Sequence, residues 1–231
     1  IMQDMSLLTQ QTQQAQIGKQ QTLKQVRNDI LWARMMPLNE ILQRFPRMVR
    51  DLSAKNDKQV RLKTFGTNTL VDKAVLEKLF DPLVHLIRNA FDHGTESPQA
   101  RMKQGKPSEA TIEIRAYHRG NQTYIEVRDD GRGIDLEKVR ASAIAKEVMT
   151  PEAAAAATQT ELYDLLFSPS FSTAEKVSEL SGRGMGLSAV RSQIVSLKGN
   201  ITINSEVGQG TTFIIRLPLT LTIAKLLIFS I

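Results

Sequence analysis

The sequence predicts an α/β protein, a two-layer α/β sandwich preceded by an N-terminal helical arm. Two observations predict the sandwich: runs with the alternation of β-strands recur along the chain, and segments with helical apolar spacing separate them. A third observation predicts the arm, because residues 1–33 are rich in glutamine and carry a single apolar stripe at helical spacing, Leu23, Val26, Ile30 and Leu31. The 231 residues are enough for one large core and an accessory element.

The remaining elements follow in order. The amphipathic pattern from Leu38 to Leu52 predicts a helix that Pro37 starts and Pro46 kinks or interrupts. In the long helical stretch from Ala74 to His93, Pro82 predicts a break. The other predicted elements are a strand over 60–64, a hairpin of 111–117 and 123–127, helices from 136, over 151–158, 161–167 and 187–197, a long loop over 168–186, strands over 201–205 and 211–217, and an apolar tail over 219–231 that resembles the first strand of a further domain.

Composition narrows the possible functions. The chain has no cysteine, which excludes disulfides and thiolate metal sites. The net charge of +6 would suit nucleic acid, but basic residues are interleaved with acidic ones and aromatic residues are few, so no nucleic-acid partner is expected. The N-terminus does not resemble a signal peptide and the apolar tail is too short to span a bilayer, so we expect a cytoplasmic location without direct membrane insertion.

Polar residues on one helical face form the first candidate functional segment. His85, Asn89 and His93 lie at positions i, i+4 and i+8, so they share a face. They suit a solvated face, or the start of a zinc site, although zinc would want further ligands and asparagine is a poor one. The Asn89 amide oxygen does suit magnesium, which prefers hard oxygen ligands shared with phosphates.

Three glycine-containing segments complete the candidate site. Asp129 to Asp135 follows a predicted strand, where glycines would admit a flat ligand and a carboxylate would accept a hydrogen bond from an amine, although Asp-Gly alone is typical of a turn. Ser181 to Leu187 precedes a helix, where free amides favour phosphate, without the Gly-Lys-Ser/Thr of a Walker loop. Gly208 to Phe213 is by itself an ordinary hairpin turn.

In this order and spacing, the four segments resemble the GHKL ATPase superfamily, which includes gyrase, Hsp90, MutL and the histidine kinases. Within it the chain is identified as a member of the chemotaxis histidine kinase CheA family, because most sensor kinases have a carboxylate where His85 stands and CheA-type kinases have histidine. The stretches that carry the resemblance are 34–38, 44–51, 81–94, 171–173, 179–186 and 216–221. The resemblance implies a GHKL (Bergerat) ATP-binding fold, with a partial dimerisation helix over 1–33, the catalytic domain over 34–219 and the start of a truncated regulatory domain over 220–231.

The resemblance also implies a function. The chain would bind Mg-ATP and transfer the γ-phosphate to a histidine on a separate phosphotransfer domain in a two-component signalling pathway. The further implied partners are response regulators, chemoreceptors and a coupling protein reached through the regulatory domain, and a second copy in the full-length homodimer. A mechanical GHKL ATPase is disfavoured because those proteins have glutamate where His85 stands. A GHKL nucleotide-binding module without phosphotransfer is the alternative.

Residue roles follow from the same resemblance. Asn89 would hold magnesium, with His85 as a magnesium contact or a base, and Arg88 and His93 would approach the phosphates. Lys138 and Arg140 are the basic candidates for the γ-phosphate.

Asp129 would bind the adenine amine with a water and the Thr211 hydroxyl, Gly131 and Gly133 would flank the base, and the segment 168–186 would form a lid. The implied catalytic and metal-binding residues are His85 and Asn89. The implied ATP-binding residues are His85, Arg88, Asn89, His93, Asp129, Gly131, Gly133, Lys138, Ser172, Thr173, Gly182, Arg183, Gly184, Met185, Gly186, Leu187 and Thr211.

Overall fold

A computed structural model of the chain describes residues 2–171 and 186–219. The N-terminal arm is a single helix, α1 (Met2–Ala33). The apolar side chains Leu23, Val26 and Ile30 of its predicted stripe are exposed, so the described part of the chain leaves this stripe uncovered.

A five-stranded mixed sheet forms one layer of the α/β sandwich. Its strand order is β2-β4-β5-β7-β6; β2 and β4 are parallel and every other neighbouring pair is antiparallel. A separate pair, β1 and β3, forms a small antiparallel sheet that the sequence analysis did not predict. The strands are β1 (Met35–Pro37), β2 (Val60–Phe65), β3 (Leu70–Asp72), β4 (Ala110–Arg119), β5 (Gln122–Asp129), β6 (Asn200–Glu206) and β7 (Gly210–Pro218).

Helices on one side of this sheet form the second layer, which confirms the predicted α/β sandwich. They are α2 (Asn39–Leu42), α3 (Phe45–Asn56), α4 (Lys73–Asn89) and α9 (Leu187–Ser196). One continuous core joins them to the sheet, with fully buried side chains such as Leu83 and Ile87 of α4 in the same cluster as Ile114 and Ile215. A short helix, α5 (Pro98–Lys103), precedes β4.

The predicted break at Pro82 is wrong, because α4 continues through this residue from Lys73 to Asn89. A proline inside a helix cannot donate to the carbonyl four residues earlier, which here belongs to Lys78. The side-chain amide of Gln193 in α9 donates to that carbonyl oxygen at 3.0 Å. A tertiary hydrogen bond therefore replaces the missing helical one.

The other two prolines stand at element ends. Pro46 lies in the first turn of α3 and separates it from α2, so the predicted interruption is confirmed. Pro37 ends β1 instead of starting a helix, because α2 begins at Asn39.

A second, smaller core is formed by the part of the chain that follows β5, and it includes Phe171 of a 3₁₀ turn at Pro169–Phe171. It is built by α6 (Leu136–Ala145), α7 (Pro151–Ala156) and α8 (Gln159–Leu165). Asp135, Thr150 and Thr158 cap the starts of these helices with side-chain hydrogen bonds. Residues 172–185 of the predicted loop and the tail from 220 onward lie outside the described residues.

Within the described residues, no helix combines the length and the apolar character needed to cross a bilayer. His118 lies near the end of β4, beyond Arg115, where the pairing of β4 with β2 stops.

Candidate active site

The end of β5 places a buried carboxylate, Asp129, at the centre of the predicted site. Only 2% of Asp129 is exposed. The backbone N–H of Gly131 donates to its Oδ1 at 3.0 Å, and the backbone N–H of Thr211 also donates to it. Burial raises the Asp129 pKa to about 6 in spite of these two hydrogen bonds. A carboxylate has about four acceptor positions, so Asp129 retains capacity for a ligand donor.

Two glycines allow the end of α4 and the end of β5 to meet at this carboxylate. A Cβ atom on Gly131 would lie 2.0 Å from the carbonyl oxygen of Gly94, and one on Gly94 would lie 2.8 Å from Cγ of Asp129. The Gly94 carbonyl in turn accepts a hydrogen bond from Arg132 N at 3.0 Å. The predicted motifs around Asn89 and Asp129 therefore share one junction, at which a side chain on either glycine would clash.

The hairpin of β6 and β7 closes the other side of the Asp129 turn. Ser205 and Thr211 are register partners, and their hydroxyl oxygens lie 2.9 Å apart. Ser205 Oγ donates to the Gly210 carbonyl and accepts from Ile134 N, each at 2.9 Å. Since Ser205 has one proton, Thr211 is the donor in the hydroxyl pair, and its lone pairs remain available to a ligand.

Gly133 joins the same hairpin by a close backbone approach. Its φ is +70°, a conformation that favours glycine, and a Cβ there would lie 2.2 Å from the carbonyl oxygen of Glu206. The neighbouring Arg132 carbonyl accepts from Gly208 N at 2.8 Å. The structure thus brings Asp129, Gly131, Gly133 and Thr211 together, as the sequence predicted.

The polar face of α4 carries the other predicted groups. His85 is half-buried, and burial lowers its pKa, with the positive charges of Arg88 and His93 as further causes. The His85 imidazole is therefore neutral near pH 7. Among the described residues, no group of three His, Cys, Asp or Glu side chains could hold a metal ion. A metal at Asn89 would have to take further ligands from bound phosphate or water.

A π-helical turn, Ala90–Gly94, follows Asn89, so the α-helix ends four residues before the predicted His93. Lys58 holds this turn, since its Nζ donates to three backbone carbonyls: Phe91 at 2.8 Å, Asp92 at 3.2 Å and Thr95 at 3.0 Å. Burial lowers the Lys58 pKa, which Asp92 opposes. No sequence pattern indicates this role of Lys58, which lies in a loop without a motif.

The two basic residues of α6 that were predicted to approach the γ-phosphate bind other groups in this structure. Lys138 is exposed and pairs with Asp135 at 3.5 Å, and no hydrogen bond or ion pair in the described part of the chain joins it to Asp129. Arg140 donates to the carbonyls of Ala154, Ala155 and Ala157.

Of the predicted lid residues, Gly186 and Leu187 are described. Gly186 precedes the first turn of α9, and its carbonyl accepts from Ala189 N at 3.0 Å. The first N–H groups of α9 have no carbonyl one turn earlier in the helix to bind, which is the arrangement that favours phosphate. The remaining predicted lid residues, Ser172, Thr173, Gly182, Arg183, Gly184 and Met185, lie outside the described residues.

Comparison with known proteins agrees with this geometry. A protein-family model described as histidine kinase-, DNA gyrase B-, and HSP90-like ATPase matches residues 76–221. The chain belongs to this ATPase family, whose members use ATP. The chain is 42% identical over 201 residues to the chemotaxis protein CheA of Bacillus subtilis (strain 168), which covers 87% of this chain and 30% of that protein. It is 46% identical over 202 residues to CheA of Listeria monocytogenes, covering 87% of this chain and 33% of that protein.

These relatives confirm the recognition of a CheA-type ATP-binding domain within the ATPase family. The chain spans about a third of the length of the curated relatives it matches. Among solved structures, the catalytic domain of histidine kinase ThkA is similar with a TM-score of 0.52 at 20% identity, covering 80% of this chain and 95% of that domain. This likeness supports the fold.

Proposed function

We propose that the chain is the catalytic core of a CheA-type protein-histidine kinase, which binds Mg-ATP and transfers its γ-phosphate to a histidine on a separate phosphotransfer domain. One observation carries the proposal: Asp129 is buried, has spare acceptor capacity, and lies where three of the predicted motifs meet. No ion pair reaches Asp129 from residues 2–171 or 186–219, and a buried carboxylate of this kind is stabilised by a ligand that supplies a donor. The exocyclic amine of adenine is such a donor.

The adenine end of the site is formed by backbone and small side chains. Asp129 accepts from the amine, and Thr211 offers hydroxyl lone pairs to the base or to a bridging water. Gly131 and Gly133 would flank the base, and both must be glycine for the turn to approach its neighbours, since a Cβ at either position would lie 2.2 Å or less from a backbone carbonyl oxygen.

The phosphate end is formed by α4 and the start of α9. Asn89 supplies an amide oxygen for magnesium, and His85 is the second candidate metal contact. Arg88, His93 and the N–H groups beginning at Leu187 would balance phosphate charge. Bound Mg-ATP supplies a transferable phosphoryl group, and positioning and charge neutralisation by these residues supply most of the catalysis.

His85 is also the candidate general base. Its lowered pKa keeps the imidazole neutral at pH 7, so it is able to accept the proton that the attacking histidine releases. A protonated His85 would have no lone pair for this step.

The surrounding system belongs to the same proposal. The histidines of the chain are His85 and His93, in the proposed nucleotide site, and His118, which lies on β4 against Thr123, so the phosphoryl acceptor is a histidine of another domain. Response regulators would receive the phosphate, and chemoreceptors and a coupling protein would act through the longer chain. The exposed apolar stripe of α1 is the proposed dimer contact. We place the protein in the cytoplasm, where ATP is available.

Labelled ATP and a separate phosphoacceptor domain test the proposal. Phosphohistidine on the acceptor supports the kinase, release of free phosphate alone supports a mechanical ATPase, and binding without turnover supports a nucleotide-binding module. In parallel, magnesium-dependent protection against melting by ATP should disappear in Asp129→Asn. Equal protection of both proteins would contradict the role of Asp129.

A further inference from the structure

A buried cluster of charges lies behind the Asp129 turn, and the proposed function does not use it. Arg101 is 1% exposed and Glu96 is 6% exposed, which is rare for charged side chains. They share ion pairs with Asp130 and Lys106, so two positive charges face two negative ones. Buried charges persist where hydrogen bonds and opposite charges satisfy them, and this cluster is balanced.

Asp130 belongs to this cluster of ion pairs, and Asp129 does not. Arg101 binds the Asp130 carboxylate with both Nη atoms, Nη1 to Oδ1 and Nη2 to Oδ2, each at 3.0 Å. Asp130 Oδ1 also accepts from Thr111 N at 3.0 Å. Among the described residues no ion pair reaches Asp129, so the two adjacent carboxylates point to different partners.

Lys106 connects the cluster to the backbone of the turn. Its Nζ donates to the carbonyl of Gly131 at 2.6 Å, to the carbonyl of Asp130 at 3.0 Å and to Glu96 Oε1 at 3.1 Å. An ammonium group has three donors, and all three are used. The other end of the Gly131 residue, its N–H, donates to Asp129 Oδ1. One residue therefore links the Lys106 ammonium to the Asp129 carboxylate.

Glu96 holds Lys106 in place. Burial opposes ionisation of Glu96, yet its own backbone N–H together with Lys106 and Arg101 keeps its pKa below the ordinary value. Glu96 is therefore ionised at neutral pH and fixes the ammonium against the two carbonyls.

We infer that Lys106 is a positioning residue for adenine recognition: by holding the Asp130 and Gly131 carbonyls, it sets the place of the Asp129 carboxylate. The inference rests on the proposed function. Without the ammonium, the Gly131 carbonyl loses this donor and the Asp130 carbonyl keeps only the bond from Arg101 Nη1 at 3.2 Å, so the turn rearranges around Gly131. Asp129 then meets the adenine amine at a longer distance or poorer angle, and the affinity that depends on that amine falls.

Nucleotide discrimination tests this role. Inosine triphosphate has a carbonyl in place of the exocyclic amine and the same triphosphate, so the ratio of ATP to inosine triphosphate affinity reports the contact with Asp129. We expect Lys106→Met to lower that ratio about tenfold at pH 8, with little change in affinity for inosine triphosphate. Calorimetric titrations of the whole chain with magnesium measure both affinities. Lys103→Met removes an exposed lysine at the end of α5 and should leave the ratio unchanged.

These titrations distinguish failure of the proposed adenine site from failure of the proposed role of Lys106. A wild-type chain that binds neither nucleotide, or binds both equally, overturns the proposed adenine site and this inference with it. A wild-type preference for ATP that Lys106→Met retains overturns the inference alone. An equal fall in both affinities also overturns it, because that pattern reflects general destabilisation. If Lys106→Met does not fold, Lys106→Gln provides the same comparison with a shorter polar side chain.

Discussion

Removing the charge of Asp129 should stabilise the nucleotide-free protein. The pKa of Asp129 is raised from 3.8 to about 6, mainly because burial removes the carboxylate from water. At 1.36 kcal/mol per pKa unit, that difference corresponds to a penalty of about 3 kcal/mol for the ionised group in the folded state. Asp129→Asn keeps the shape and an acceptor oxygen for Gly131 N, so we expect it to raise the free energy of unfolding at pH 8 by about 1–3 kcal/mol.

The pH dependence of this stability difference follows from proton binding to Asp129. Between pH 6 and 4 the folded chain holds a proton on Asp129 and the unfolded chain does not, so stability from this group rises as pH falls through that window. Above pH 6 both states are ionised and the full penalty applies. The advantage of Asp129→Asn should therefore be largest at pH 7–8 and shrink towards pH 4.

Urea unfolding at pH 8 and pH 5 without nucleotide measures this difference, provided that the m-values agree. Asp130→Asn is the matched control, because the same substitution one residue later takes a carboxylate from the buried Arg101 and should destabilise the chain by about 1–2 kcal/mol, a value reduced by the 38% exposure of Asp130. A variant Asp129→Asn that is no more stable than wild type at pH 8, or whose advantage is equal at pH 5, would refute the reasoning.

Three further predictions concern the same site. ATP affinity should fall as pH drops below about 6, where Asp129 gains a proton, while affinity for inosine triphosphate should change less; parallel curves in calorimetric titrations would contradict the role of Asp129. His85→Gln should slow phosphotransfer to a separate acceptor domain about 100-fold, and normal transfer with intact ATP affinity would rule out a base. Gly133→Ala should lower the free energy of unfolding by more than about 2 kcal/mol, because its Cβ would clash with the carbonyl of Glu206. Gly120→Ala is the control, since Gly120 also has a positive φ but open space at its Cβ position, and it should lose about 1 kcal/mol. Equal losses in urea unfolding would show that the contact with Glu206 does not matter.

Much of the fold was predictable because its signals are local. The alternation over 111–127 gave the hairpin of β4 and β5, and Gly120 lies at its turn with a φ of +60°. The helical spacing around His85 gave most of α4. The glycines of the Asp129 turn indicated close backbone approach, and the structure shows which carbonyls approach them.

The features that the sequence did not predict depend on contacts with residues far away in the chain. Pro82 is a helix breaker by its own chemistry, yet Gln193, far along the chain, supplies the hydrogen bond that the helix lost. Lys58 holds the π-helical turn after Asn89 through three backbone carbonyls, which carry no sequence signature. A local pattern does not reveal contacts of this kind.

The pair Asp129 and Asp130 shows why site chemistry needs tertiary structure. The two residues are chemically identical neighbours at the point where β5 ends, and their side chains meet different partners. Asp130 pairs with the buried Arg101, whereas the groups that bind Asp129 within residues 2–171 and 186–219 are backbone N–H groups, and its pKa is raised to about 6. Burial destabilises the ionised form of Asp129. A hydrogen-bond donor from a ligand offsets part of this desolvation cost, so ligand binding at this carboxylate is favourable. Because Arg101 of the charge cluster pairs with Asp130, Asp129 is the carboxylate of these two neighbours that is left for an amine donor.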